Sequence, residues 1–434
     1  MSAANDRLFS PAFFVMCGFT FTVFLSAFQL LPTAPFHILD LGGTTFASGL
    51  FLGFLTYSSA FSAPLTGAIA DRVGQRRVLL TSSTALTVFS IAYAFIPSVP
   101  VLLSLVLIHG VFWSGLLSAS AAYMTNMLPE RRRAEGIGYW GLSSVGAMAV
   151  APSAGFWIYR HGWVWLCAGS AALNLIMAGI AWHLRGEKTK ATESFNREEG
   201  RIGGSLGSSE EEAPPVLPSS LLNDSAASRT SLLEWRVLIV SITLFLYSFG
   251  YGGITSFTAL YADANHVTPK SIYLTTLAIV ILLTRPMAAR LGDRFGYRRI
   301  FLPCLVLISV GLACLAVGGS RGWMIVSAIC FGLGFGTAYP VYVGYVMRGV
   351  APARRGAAFG AILAAFDTGI GTGSTSMGWI IEHYGFPRAF GTAAILSALS
   401  LPYFLIADSL LARRGTATRS DTKTTKATKI TNTN

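Results

Sequence analysis

The octapeptide Ala70-Asp71-Arg72-Val73-Gly74-Gln75-Arg76-Arg77 returns in the second half of the chain as Gly292-Asp293-Arg294-Phe295-Gly296-Tyr297-Arg298-Arg299. Each copy stands between two long apolar runs, so each reads as a short polar loop joining two oily helices. Pro129-Glu130-Arg131-Arg132 likewise returns as Pro352-Ala353-Arg354-Arg355, at almost the same spacing. Two separate matches at nearly one offset point to an internal duplication, with two halves built around a shared midplane.

Working outward, apolar runs begin near Pro11, Phe46, Val78, Val99, Gly136 and Val164 in the first half. In the second they begin near Val237, Ser271, Ile300, Trp323, Gly356 and Pro387. The chain has 434 residues, 53% hydrophobic and 12% charged, with a mean hydropathy of +0.56. A soluble domain carries about 25% charge, so a soluble enzyme is excluded. Sixteen of the charged residues fall within 185–236 and seven within 412–434, which leaves the body poorer still. At about 20 apolar residues per crossing, that body holds twelve membrane-spanning helices. The expected fold is therefore all-α: a polytopic membrane protein of two pseudo-symmetric six-helix bundles. The first run, Pro11 to Phe36, is too long for the core of a signal peptide and is expected to remain as a helix.

The expected division is an N-terminal bundle over 1–184, a flexible connector over 185–235, a C-terminal bundle over 236–411 and a disordered tail over 412–434. The connector carries Gly203-Gly204, Glu210-Glu211-Glu212 and Pro214-Pro215, a composition too poor in apolar residues to fold alone. Arginines 72, 76, 77, 131, 132, 133, 290, 294, 298, 299, 348, 354 and 355 share one set of alternate loops. The other set holds Arg160, Lys270, Arg321 and Arg388. Basic residues collect on the cytoplasmic side, so both termini and the connector are expected in the cytoplasm of a bacterial inner membrane.

The net charge of +12 lies in short loops, without the basic, aromatic-interleaved patches of a nucleic-acid surface, and no nucleic-acid partner is expected. Cys17, Cys167, Cys304, Cys314 and Cys330 sit in apolar segments without metal-site spacing and read as packing residues. No phosphate loop, metal cluster or Gly-x-Ser-x-Gly nucleophile occurs, which argues against ATP-driven pumping and hydrolysis and leaves no cofactor to expect.

Only two strongly charged residues fall well inside predicted spans, Arg285 in the eighth and Asp367 in the eleventh. Each costs at least about 2.5 to 3.5 kcal/mol at the bilayer centre unless it faces water or a partner. Asp367 is a candidate proton carrier or a structural hydrogen-bond partner. Arg285, just before Pro286, is a candidate holder of an anionic group, a partner of Asp367, or a side chain snorkelling to the membrane surface. His109, in the fourth span, changes charge near neutral pH but equally fits a packed interior. Gln29, Trp113, Trp140, Tyr247, Tyr251, Tyr339 and Tyr342 are candidate walls for a small amphipathic solute, or ordinary core.

The segment Gly67-Ala68-Ile69-Ala70-Asp71-Arg72-Val73-Gly74-Gln75-Arg76-Arg77 resembles the signature loop of the major facilitator superfamily. The helix count, the repeated loop and the central connector extend that resemblance over the whole body. Within the superfamily the chain is similar to bacterial drug- and sugar-efflux proton antiporters. The resemblance implies that Gly67, Asp71, Arg72, Gly74, Arg76 and Pro152, with Asp293, Arg294, Gly296 and Arg298 in the second half, take part in gating. Gly67 permits close helix approach, Gly74 a tight turn, and Asp71 a hydrogen bond to a neighbouring helix N-terminus. The arginines equally obey the basic-loop rule. Gly138, Ala147, Ala151, Pro152 and Gly155 match the antiporter motif of the fifth span, with alanines at two of its glycine positions. Val106 stands where many proton antiporters carry an arginine, which leaves His109 as the nearest titratable group.

The implied function is secondary active transport of a small organic solute by a monomer rocking in the lipid bilayer, with proton-coupled efflux as the leading direction. An importer of the same fold and a transporter-like sensor or scaffold without flux are the alternatives. Metallophores, sugars, drugs and metabolites all remain open as solutes.

Overall fold

The computed structural model describes residues 8–129, 132–184, 235–348, 350 and 355–431. Its helices are α1 (Pro11–Leu30), α2 (Ala34–Asp40), α3 (Thr45–Val73), α4 (Gln75–Phe95), α5 (Val99–Met127), α6 (Arg133–Tyr159) and α7 (Trp163–His183). The second half holds α8 (Trp235–Ala264), α9 (Ile272–Phe295), α10 (Tyr297–Val317), α11 (Arg321–Arg348), α12 (Arg355–Tyr384) and α13 (Phe386–Thr431). Except for Trp235, the expected connector 185–235 lies outside the described residues, as do Arg131 and Arg354.

α1 starts where Ser10 accepts a hydrogen bond from the Phe13 amide and Pro11 takes the first turn, a position that needs no amide proton. It breaks at Leu31-Pro32-Thr33 and continues as α2, the two together forming the first span. Among the described residues, ten spans are long and apolar enough to cross a membrane. α9 contributes only a shorter apolar stretch, Ile272–Ala288, and α12 falls outside that set. These are the two spans that carry Arg285 and Asp367, and polar residues inside a span lower its hydropathy.

Gly74 and Gly296 adopt φ of +98° and +89°, ending one helix and starting the next within a single residue. Side chains disfavour that conformation. Gly385 does the same at φ +83°, and Gly162, at φ +116°, leads into α7 three residues after α6 ends; these two also occupy matching places in the repeats. The halves therefore share turns as well as sequence. They also share packing. α1 lies on α6 and α7, α3 on α5, and α4 on α5 and α7; α8 lies on α12 and α13, α9 on α11, and α10 on α11 and α13. Between halves the main contacts are α3 with α12 and α6 with α9, again a repeat-related pair.

The last span, α13, is helical through Thr431. After Gly415 the tail has no proline or glycine to stop the helix, and its alanines, arginines and lysines suit one.

Glycines set the closest packing. A Cβ on Gly373 or Gly252 would collide with the carbonyl oxygens of Phe249 and Ile370, so α8 and α12 meet backbone to backbone. Gly360, on the same helix, has open space around it. Overpacking of this kind costs about 1 to 3 kcal/mol. Gly373→Ala is therefore expected to lower the melting temperature of the detergent-purified protein by several degrees, with Gly360→Ala unchanged; equal melting of both variants would contradict the backbone contact.

Candidate functional site

The two cross-half seams close one end of the molecule, the end opposite the arginine-rich loops. Along α3 and α12, the Ser374 hydroxyl donates to the Gly49 carbonyl at 2.8 Å. Tyr57 and Thr372 share a hydrogen bond of 2.8 Å, and the Phe46 amide donates to Glu382 Oε2 at 2.9 Å. Gly49 and Gly53 make this approach possible, since a Cβ on either would strike Ser374 or Thr375. Along α6 and α9, Ser153 Oγ lies 2.9 Å from Ser271 Oγ and 3.0 Å from Thr275 Oγ1. Ser271 and Thr275 are the repeat partners of Gly49 and Gly53, so both seams use the same positions of the duplicated unit. Lys270 adds a cation over the Phe36 ring at 4.6 Å.

Towards the basic end the helices part. Phe61 and Leu65 on α3 are 83% and 63% exposed, and their repeat partners Leu283 and Met287 on α9 are 68% and 58% exposed. The hydrogen bonds that join the halves thus lie towards the end opposite the basic loops.

Asp367 and Arg285 lie on the C-terminal half, on α12 and α9, and both are half-buried. Among the described residues neither makes a salt bridge or a hydrogen bond. Tyr339, on α11, lies within electrostatic reach of both, and Tyr251, on α8, within reach of Arg285. An aromatic layer joins them. Tyr251 stacks on Phe335 with centroids 4.4 Å apart, Phe335 meets Phe366 at 5.9 Å, and Phe366 meets Tyr339 at 5.0 Å. The structure thus sets a free cation and a free carboxyl along one aromatic surface. Ring faces bind apolar or flat bodies while the charges orient polar ends.

The other expected wall residues lie elsewhere. Gln29 is 2% exposed and donates to Ser170 Oγ at 2.7 Å inside the N-terminal half. Tyr247 and Tyr342 are fully buried among the C-terminal helices, with Tyr342 bonded to Ser241 at 3.1 Å. Each is held inward by packing or a polar neighbour, the core alternative of the sequence reading. Trp140 donates to Thr20 at 2.7 Å and Trp113 packs edge-on against Phe24, both half-buried on the N-terminal half. His109 points into that half, bonded through Nδ1 to Tyr93 at 2.9 Å and stacked on Phe89. Beside it lies a space of about 20 Å³ edged by Ser90 and Asn174, which is water-sized. This geometry is that of a satisfied interior histidine.

The repeated loops grip the last span of their own half. Arg76 donates to the Ala181 carbonyl at 3.3 Å and also to that of Trp182, at the C-terminus of α7, where a cation suits the helix dipole. Arg298 lies 3.4 Å from Asp408 of α13. Asp71 and Arg72 are exposed, and Arg294 lies against its neighbour Phe295. Gly67 has open space beside it, as the parted helices require, while Pro152 is buried beside the Ser153 seam. Of Asp293 only the backbone is described. The seam residues Gly49, Tyr57, Ser153, Ser271, Thr372 and Glu382 were invisible beforehand, because small and hydroxylated residues occur throughout these spans.

The sequence profile of the Major Facilitator Superfamily matches residues 13–279 and again 240–431. An uncharacterized MFS-type transporter of Burkholderia pseudomallei (strain K96243) is 24% identical over 390 residues, covering 88% of both chains. The MFS-type transporter YhhS of Escherichia coli (strain K12) is 22% identical over 398 residues, covering 88% of this chain and 89% of its own. Among solved structures, a variant of the nucleoside transporter NupG superposes with a TM-score of 0.70 at 17% identity, over 91% of this chain and 99% of that one. A D-xylose-proton symporter gives 0.68 at 13% identity, over 91% and 97%. With the duplicated halves, the signature loop and a profile matching nearly the whole body, the chain belongs to the Major Facilitator Superfamily of transporters.

Proposed function

We propose that this transporter is a proton-coupled carrier of a small organic solute, with Asp367 as the proton site. The observation that carries this reading is a half-buried carboxyl with no hydrogen bond or salt bridge among the described residues, which on this reading lines a cavity between the halves that opens at the basic end. Shutting that cavity strips water from Asp367, and an ionised carboxylate in a dry site costs far more than a protonated one. Protonation thus changes the cost of closure, which is how a proton is coupled to movement between two states.

The bias of basic residues to one set of loops supports an open end, both termini and the connector in the cytoplasm of a bacterial inner membrane, and on this reading the conformation is inward-facing. One chain contains both halves of the cavity and works as a monomer. In the opposite, outward-facing conformation, Asp71 caps the N-terminus of α12 and shuts the cytoplasmic side; its exposure here fits a released gate. Arg76 and Arg298 hold each loop to its own half. Efflux by antiport is supported by the small-residue face of α6, where Ala147 and Ala151 are buried and Gly155 lies against the Gln29 backbone. Uptake by symport is the second reading, supported by the two unpartnered opposite charges and by the likeness to a D-xylose-proton symporter. A sensor or scaffold would bind solute without moving it.

Two measurements test the proposal. In proteoliposomes screened with radiolabelled sugars, nucleosides, peptides and organic acids, an imposed pH gradient is expected to drive net movement of at least one solute. Asp367→Asn is expected to keep solute exchange while losing the gradient-driven component; unchanged gradient-driven flux would refute the proton assignment. Asp71→Ala removes a cap worth about 1 kcal/mol, or about fivefold. Turnover is therefore expected to fall about fivefold with solute affinity unchanged, and equal loss of both would count against the gate.

A further inference from the structure

We infer that the transported solute is an organic anion, held by Arg285 against the Phe366–Tyr339 aromatic surface, and that it crosses together with the proton. The inference rests on Asp367 being the proton site, adds the solute class, and selects the symport reading over antiport.

The argument is a charge balance. In the open cavity water solvates Arg285, but the closed cavity withdraws that water, and an ion there needs a counter-charge. With Asp367 ionised, the empty cavity holds one positive and one negative group and is neutral. An anion entering on Arg285 leaves it one charge negative, and a proton on Asp367 restores neutrality. Anion and proton together therefore give a neutral loaded state, just as their joint absence gives a neutral empty one. A cationic solute with Asp367 ionised leaves an excess positive charge. Arg285 and Asp367 are the only strongly charged side chains well inside the spans, so no other group restores the balance.

The groups around Asp367 fit this assignment. From α3, Tyr57 is engaged with Thr372. From α8, Tyr247 is buried towards Phe301 and Phe335, and Tyr251 lies near Arg285. From α11, Tyr339 lies within electrostatic reach of both charges. From α13, Tyr403 donates to the Ile239 carbonyl, and Asp408 is occupied by Tyr345 and Arg298. None of these supplies a cation to Asp367 or an acid to Arg285.

The guanidinium offers a planar fork that suits a carboxylate or another oxyanion. The rings of Phe366 and Tyr339, both half-buried, offer a surface for a flat or apolar body. A compact inorganic anion would leave that surface uncovered, which is why the class is organic.

The test uses the full-length protein in detergent and in proteoliposomes. The probes are aromatic and aliphatic carboxylates, sulfonates and phosphonates, each with its matched neutral amide and amine, plus inorganic phosphate. The strongest thermal stabilisation is expected from an organic anion, lost in Arg285→Gln and partly restored in Arg285→Lys. A neutral or cationic compound binding best, inorganic phosphate binding best, or anion binding unchanged in Arg285→Gln would overturn the solute assignment. For the anion that binds best, affinity is expected to fall about tenfold per pH unit once Asp367 is ionised, the slope for one co-bound proton. Affinity that rises with pH would overturn co-transport. Asp367→Asn is expected to keep anion binding and lose its pH slope. Anion binding that survives with no pH slope in the wild type would sink the proton site while leaving the Arg285 assignment standing, so the two failures are distinguishable.

Discussion

An ion in the middle of a membrane protein must have water or a counter-charge within reach, and this constraint governs the transporter. Nearly all its charge is kept in loops, connector and tail, and the spans are left almost neutral. The two exceptions, Arg285 and Asp367, are not paired with each other or with any described neighbour. Both are half-buried rather than sealed, and in the proposed cycle an opening between the halves keeps them wet. Once that opening shuts, the arrangement has to be neutral by other means, and the chemistry of transport follows from how neutrality is restored.

The rest of the molecule is built to make opening and shutting a choice between two packed states. Within each half, glycines such as Gly252 and Gly373 bring backbones into contact and make the bundle stiff. Between halves, the contacts are short seams along α3 with α12 and α6 with α9, made of hydroxyls and small residues. Such seams are weak enough to part, since a single hydrogen bond contributes only about 0.5 to 1.5 kcal/mol net. The repeated loops complete the division, with Arg76 holding α7 and Arg298 reaching α13. A stiff half with its own loop tied down moves as one body, and the seam residues absorb the change.

Legibility in the sequence followed the strength of the local signal. The helices, their number and the duplication were readable because burial in lipid demands long apolar runs, and Asp71-Arg72 and Asp293-Arg294 interrupt them at matching places. Arg285 and Asp367 were readable because a charge in such a run has no bland explanation. Whether Tyr247, Tyr342 and Gln29 are walls or core was not legible, because an aromatic or amide residue in an apolar helix carries no mark of which way it faces.

By itself, the sequence determined a membrane protein of paired bundles with a polar signature loop in each and two ionisable residues out of place. These follow from solvation alone: lipid excludes charge and demands internally bonded backbone, whatever the neighbours. Only the tertiary structure decided which faces meet. It put His109 inside a bundle, brought Tyr339 within electrostatic reach of Arg285 and Asp367, and joined Gly49 to Ser374 across the halves. A helix apolar on all sides has no amphipathic stripe to fix its rotation, so its orientation is set by side-chain packing against partners far away in the chain.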